Sequence, residues 1–217
     1  MHNSIINLNS IKNRLKVKIK NSSIPSIIAV SKTFPMSEIL PLINHGHTHF
    51  GENKVQESIE KWQTIKTDFK HVNLHMIGNI QTNKVKYVIP LFDYIHSLDT
   101  LKLADKIANE QVKINKKVKI FIQVNIGNES QKNGIHISEL ENFYNKCTKE
   151  LELNIVGLMC LPPIDQESSI YFSKMKKLST ELNLAELSMG MSADFLNAAE
   201  NGSTYLRIGS KIFGNRN

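Results

Sequence analysis

Apolar residues recur at spacings of three and four through the first segment, at Ile5, Leu8, Ile11, Leu15 and Ile19, with Asn and Lys between them, which predicts an amphipathic helix. After it the period changes. The β-branched run SIIAVSKT (residues 26–33) predicts a short strand, and SEILPLINHG, with helical spacing and Gly46 at its close, predicts the helix that follows. The same alternation continues with HFGEN then VQESIEKWQTI, NLHMIG then QTNKVKYVI, YIHSLD then TLKLADKIANE, and KIFIQVNI then ISELENFYNKCT. NIVGLMCL precedes QESSIYFSKMKKLSTEL, AELSMGM precedes SADFLNAAENG, and YLRIGS ends the series with a short tail. Most of these strands are apolar on both faces and are joined by helical connections too long for hairpins, as in a parallel sheet covered by helices. Eight such units predict an α/β fold, a single (β/α)8 TIM barrel with an extra N-terminal helix. The competing open doubly wound sheet normally carries a Gly-rich turn after its first strand, where this chain reads SKTFPM. Loops are expected around Lys20 to Pro25 and Gly127 to Gly134.

Composition narrows the class. The chain has 217 residues, 41% hydrophobic and 22% charged, with ten Gly and six Pro. That suits one globular domain over 1–217, within the span of about 250 residues that one core supports. Lys and Arg outnumber Asp and Glu by 27 to 20, a formal charge of +7 that favours anionic ligands. No aromatic residues interleave with the lysines of KNRLKVKIK, so no nucleic-acid surface is expected there. Two cysteines, Cys147 and Cys160, make neither a zinc set nor a disulfide framework, which suggests a reducing cytoplasm. The N-terminus lacks the apolar core of a secretory signal, and no apolar run approaches the roughly 18 residues of a membrane span.

In a parallel barrel, chemistry collects at the C-terminal ends of the strands. Lys32, Asn53, Asn79, Asp99, Asn125, Arg207 and Ser210 all fall at or just beyond predicted strand ends, although strand ends are often polar for structural reasons alone. Lys32 directly follows IIAVS; a lysine desolvated at a barrel mouth has a lowered pKa and a free amine for imine chemistry, while a snorkelling strand-end lysine is the plain alternative. The segments LSMGMSADF and YLRIGSKIFG sit where barrels bind phosphate. Ser192 stands where a helix N-cap is expected, with Asp194 in the first turn, and Gly209 and Ser210 can add donors; capping and chain turning alone would also account for them. Arg207 lies within the apolar run YLRIG and needs an acceptor, either a buried carboxylate or a ligand's ring nitrogen or phosphate. His45, His47 and His49 of HGHTH share alternate positions but precede the second strand, on the face away from the mouth, so no metal site is assigned to them.

Taken in order, IIAVSKT, HFGENKVQE, HMIGNIQTNK, HSLD, IQVNIGNESQKNGI, GLMCLPP, LSMGMSADF and RIGSKIFGNR resemble the YggS/PROSC family of pyridoxal phosphate homeostasis proteins over nearly the whole chain. The resemblance implies a barrel akin to the N-terminal domain of alanine racemase that binds pyridoxal 5′-phosphate, with a covalent aldimine at Lys32 and no robust catalysis. It further implies that Asn53 lines the cofactor, that Ser188, Ser192, Gly209 and Ser210 cradle the phosphate, and that Arg207 faces the pyridine nitrogen. Apo forms of pyridoxal phosphate enzymes are the implied recipients, and a monomer the implied state. Two positions depart from the family pattern: Phe34 stands where many relatives carry a second lysine, and Ser210 replaces a commoner threonine. Phe34 removes an amine next to the cofactor lysine, whereas Ser210 keeps the hydroxyl.

An arginine at the ring nitrogen disfavours its protonation and makes the ring a poorer electron sink. Racemases of related fold also recruit a tyrosine from a second domain and a partner subunit, for which this length leaves no room; Tyr205 is expected in the core or at the rim. The expected function is therefore a carrier or buffer of pyridoxal 5′-phosphate. An amino-acid racemase-type enzyme and a cofactor-free aldolase using Lys32 are the alternatives.

Overall fold

The computed structural model describes residues 1–19 and 23–214, so residues 20–22 of the first expected loop lie outside it. Helix α1 (Asn3–Lys18) buries Ile5, Leu8, Ile11 and Leu15 along one face and is capped by His2, which accepts the Ser4 amide at 3.3 Å. Eight strand-and-helix units follow: β1 (Ser26–Val30), α2 (Met36–Asn44), β2 (His49–Glu52), α3 (Val55–Asp68), β3 (Asn73–Met76), α4 (Val85–Leu91), β4 (Tyr94–Leu98), α5 (Leu101–Ile114), β5 (Lys119–Val124), α6 (Leu140–Asn145), β6 (Ile155–Cys160), α7 (Ser168–Glu181), β7 (Glu186–Ser188), α8 (Phe195–Glu200), β8 (Tyr205–Ile208) and α9 (Ser210–Phe213). Every neighbouring pair of strands runs parallel, and β1 pairs with β8 as well as with β2. The sheet is therefore a closed eight-stranded barrel, and the open-sheet alternative fails at the β1–β8 seam.

Differences from the sequence reading lie at element ends. The run SIIAVSKT stops being strand at Val30, so Lys32 sits in the turn beyond it. Helix α5 runs on to Ile114 and stops where Asn115 adopts the left-handed conformation at φ 51°. The tail after β8 forms the short helix α9, which Asn7 of α1 holds by donating to the Ile212 carbonyl at 3.0 Å. The loop between β5 and α6 is ordered by Asn125, whose side chain donates to the Glu129 carbonyl and accepts the Glu129 amide, so this strand-end residue serves the loop.

Two cores separate along the strand alternation. Leu206 and Ile208 point outward with Trp62, Phe172 and Phe195 into the layer between barrel and helices. Tyr205 points inward, where it packs with Ile28, Tyr94, Phe121 and Met159. The interior also holds two fully buried histidines, His75 and His96, stacked on Tyr94 and Phe121 at centroid distances of 4.2 and 4.3 Å. The HGHTH histidines are thereby divided: His45 is exposed, His47 packs edge-on against Phe50 outside the barrel, and His49 reaches inward to His75. Among the described residues no three His, Cys, Asp or Glu side chains converge in a metal-holding group.

Burial holds these rings neutral. It drives His75 and His96 well below 6.5 and His47 down to about 3. The unfolded chain then takes up protons below pH 6.5 that the folded chain refuses, so stability is complete above that pH and falls as pH drops, by up to ~1.4 kcal/mol per pH unit per histidine. The melting temperature is expected to fall clearly between pH 7 and pH 5, before ordinary carboxylates titrate, and a His47→Gln variant should show a shallower fall. A melting temperature unchanged across that range would contradict the assignment.

Candidate functional site

The C-terminal ends of the strands open into a cavity of about 1030 Å³. Six of the seven residues expected at a site, Lys32, Asn53, Ser192, Arg207, Gly209 and Ser210, line it. Ser188 does not: it is fully buried below the mouth, where its hydroxyl meets Arg207 and His96. Its side chain faces inward one layer under the cavity because β7 ends there, and the chain turns outward to present Ser192 instead. Asn79 also lines the cavity.

Arg207 is 5% exposed, and no carboxylate among the described residues forms an ion pair with it. Its guanidinium donates to Ser188 Oγ at 2.6 Å and to the Cys160 carbonyl at 2.8 Å. Burial lowers its pKa from the ordinary arginine value, with the electrostatic pull of Cys160 and of the more distant Asp194 carboxylate acting in the opposite sense. Of the two acceptors weighed from the sequence, a buried carboxylate is thus not its ion-pair partner, and Arg207 borders the cavity. Cys160 stays a thiol, its pKa pushed up to about 12 by burial.

The opposite wall is held from helix α3. Glu52, fully buried at the end of β2, accepts from Ser31 Oγ at 2.7 Å, Trp62 Nε1 at 2.9 Å and Lys61 Nζ at 3.1 Å, all at Oε1. Lys61 also donates to the Ser31 carbonyl at 3.0 Å and to Glu57 Oε1 at 3.0 Å, and the same oxygen of Glu57 accepts the Thr33 amide at 2.7 Å. Burial raises the Glu57 pKa, but the bonds from Lys61 and the Thr33 amide outweigh it, so this carboxyl is held below its ordinary value. Thr33 adopts the left-handed conformation at φ 68°, costly for a β-branched residue. Both neighbours of Lys32 in the chain are therefore fixed by the Glu52, Lys61 and Glu57 network. Phe34, the departure from the family pattern, stacks on Phe213 at 4.8 Å and ties the same turn to α9.

Asn53 follows Glu52, and its Oδ1 is buried with no hydrogen-bond partner. Its backbone is overlain so closely by Gly78 that a Cβ there would lie 2.2 Å from the Asn53 carbonyl oxygen, so only glycine lets this loop pass. On the side of the expected phosphate cradle the N-cap expectation needs correction. Helix α8 begins at Phe195 with Asp194 in the cap position, and Asp194 Oδ1 accepts the Met191 amide at 2.7 Å, folding the turn back on itself. Ser192 instead accepts the Lys211 amide at 3.4 Å, linking the two loops that carry the expected cradle. Tyr205 is a core residue: its hydroxyl donates to the Tyr94 hydroxyl at 3.3 Å deep in the barrel, and burial raises its pKa.

Sequence reading missed the α3 network and the interior histidines. The i,i+4 spacing of Glu57 and Lys61 was a visible signal, as was a histidine inside each of the apolar runs NLHMIG and YIHSLD, the same signal that singled out Arg207. The conformation of Thr33 left no such trace.

A barrel whose mouth brings a strand-end lysine, a buried arginine and a polar loop cradle together defines a class of sites. The alanine racemase N-terminal domain family matches residues 6–217. Pyridoxal phosphate homeostasis proteins of Haemophilus influenzae and Aquifex aeolicus are each 37% identical to the chain, covering 97% and 88% of it and 95% and 86% of their own lengths. The PipY structure of Synechococcus elongatus with PLP bound is 30% identical with a TM-score of 0.86, covering 97% of this chain and all (100%) of that one. An alanine racemase of Clostridium difficile shares the fold at 17% identity and a TM-score of 0.76, with 57% of its own length covered. The chain belongs to the alanine racemase N-terminal domain family, among its pyridoxal phosphate homeostasis proteins.

The buried Lys61–Glu52 pair gives a direct test of the α3 network. Lys61→Met leaves a fully buried carboxylate without its cation and is expected to cost about 3 kcal/mol in urea unfolding. Adding Glu52→Gln to that variant should recover part of the loss, since the amide keeps an oxygen for Ser31 and Trp62.

Proposed function

We propose that the protein binds pyridoxal 5′-phosphate at the barrel mouth, covalently through Lys32, and serves the homeostasis of that cofactor as a carrier or buffer, without robust catalysis. The observation that carries the reading is the convergence of Lys32 and Arg207, a cation without an ion-paired carboxylate, on one cavity. The residues present fit the group. The buried, unpartnered Asn53 Oδ1 is an acceptor awaiting a donor, Arg207 is a cation awaiting an acceptor, and the loops of Ser192, Gly209 and Ser210 offer small polar groups to a phosphate. Further support comes from the PLP-bound PipY relative and from the pyridoxal phosphate homeostasis proteins to which the chain is similar.

When bound, pyridoxal 5′-phosphate supplies an aldehyde for a lysine amine and a ring that can draw electrons from it. The chain's own residues bind and orient. Lys32 offers the amine from a turn clamped on both sides, Ser192, Gly209 and Ser210 hold the phosphate, and Asn53 lines the ring. Arg207 donates at the ring nitrogen, where a guanidinium disfavours protonation and weakens the ring's pull on electrons. Ser188, expected in the cradle, acts in this reading through Arg207. The non-catalytic reading also draws support from the cavity lining, which contains no tyrosine among the described residues to serve as acid or base.

The single barrel domain over 1–217 acts as a monomer in a reducing cytoplasm, a setting compatible with Cys147 and Cys160 being free and buried. No helix among the described residues is long and apolar enough to cross a membrane. Apo forms of pyridoxal phosphate enzymes are the recipients in this reading.

Borohydride reduction of protein loaded with pyridoxal 5′-phosphate, followed by peptide mass mapping, is expected to place the modification on Lys32. Lys32→Ala should lose both the modification and the visible absorbance band; an unchanged band in that variant would sink the proposal. Exchange of Cα deuterium into a panel of amino acids should stay near background, and rapid saturable exchange would favour the enzyme.

A further inference from the structure

Hydrogen bonds run without a break through the barrel interior, from the cavity to its far end. Arg207 Nη1 donates to Ser188 Oγ at 2.6 Å, Ser188 Oγ meets His96 Nδ1 at 2.8 Å, His96 Nε2 meets His75 Nδ1 at 2.9 Å, and His75 Nε2 meets His49 Nδ1 at 2.9 Å. Four of these five residues are buried, and His49 is half-buried at the end of the chain.

The direction of every bond follows from Arg207. A guanidinium only donates, so Ser188 Oγ accepts from it. Among the described residues the remaining partner of that oxygen is His96, which leaves His96 Nδ1 as the acceptor for the hydroxyl hydrogen. A neutral imidazole that accepts at Nδ1 carries its proton on Nε2, so His96 donates to His75 Nδ1, and His75 by the same rule donates to His49 Nδ1. Each ring then turns its lone pair, the negative end of its dipole, toward Arg207. A row of dipoles aligned this way stabilises a cation as a helix C-terminus does, and each bond polarises the next.

We propose that Ser188, His96, His75 and His49 form a hydrogen-bond chain of single polarity that positions Arg207 and sustains its charge where no carboxylate is ion-paired with it. Burial supports it independently by keeping the rings neutral, as the chain requires. A carboxylate in this place would neutralise the guanidinium; dipoles stabilise it and leave its net charge to act on whatever occupies the cavity. These four are positioning residues, acting through Arg207. The inference rests on the proposed function only in taking pyridoxal 5′-phosphate as the ligand that Arg207 meets.

The first measurement needs no cofactor. Long-range proton–nitrogen correlation spectra of wild-type protein labelled with ¹⁵N-histidine are expected to show His49, His75 and His96 all protonated on Nε2 and neutral at pH 7.5. Any of the three protonated on Nδ1, or charged, overturns the proposal. In Ser188→Ala the polarity loses its source, and His96 should populate both tautomers; a His96 that stays wholly protonated on Nε2 also overturns it. The second measurement is the pyridoxal 5′-phosphate dissociation constant, expected to rise about tenfold in Ser188→Ala and to recover in Ser188→Thr, the size of effect that outer supporting partners usually have. Scrambled tautomers with unchanged affinity would refute the positioning role. Wild-type protein that bound no pyridoxal 5′-phosphate would refute the proposed function and leave the tautomer result standing by itself.

Discussion

A cation sealed into a barrel without an ion-paired carboxylate sets the terms for the rest of this structure. Removing a guanidinium from water costs several kcal/mol unless its N–H groups are satisfied and its charge is stabilised. Here Ser188 and the Cys160 carbonyl each accept from the guanidinium, and the residue also borders the cavity. The interior below adjusts to that need. Barrels of this architecture usually fill their axis with layers of branched aliphatic side chains. This one places Tyr94 and Tyr205 there beside aliphatic Ile28, and with them His75 and His96, since the Ser188 hydroxyl needs an acceptor and that acceptor needs one in turn.

The lysine side of the mouth is organised on a different principle. Lys32 lies in a turn that carries backbone strain at Thr33, and strain of that kind persists only where neighbours over-determine it. Glu57 binds the Thr33 amide, Lys61 binds the Ser31 carbonyl, and Glu52 gathers Lys61, Trp62 and the Ser31 hydroxyl from within the wall. One side of the cavity is thus supported along the barrel axis and the other laterally from α3. A ligand that reached both sides would meet two rigid partners that do not depend on each other.

The barrel was legible because its evidence is repetitive: apolar runs of strand length alternate with helical periods, and covered parallel strands need both. Four of the cavity-lining residues, Lys32, Asn53, Arg207 and Ser210, were legible for the same reason, since the fold assigns a place to polar residues at or just beyond strand ends. Ser188 and Ser192 show the limit. Both belong to LSMGMSADF, but the strand ends at Ser188, so one hydroxyl stays in the interior while the other reaches the rim. The partners of the site were harder to read. Lys61 meets Glu52 across nine positions of chain and His75 meets His96 across 21, distances at which pairing is decided by barrel register and has no local period. The His45, His47 and His49 triplet misled in the opposite direction: its alternation suggested one face, yet its members divide between solvent, the helix layer and the axis.

The seam between β1 and β8 has a consequence for how the chain is made. Residues 26–29 of β1 take their partners from residues 205–208, almost the whole length of the chain later, and Ser26 donates its amide to the Thr204 carbonyl across the same gap. During synthesis β1 therefore exposes an apolar edge until the last strand leaves the ribosome, a condition that invites pairing with other chains. Helix α1 can shelter the nascent sheet on its outer face, but its own partner α9 is made later still. A nascent chain of this kind is exposed to aggregation for most of its translation, and the step that ends the exposure also completes the cavity, because Arg207, Gly209 and Ser210 arrive with the closing strand.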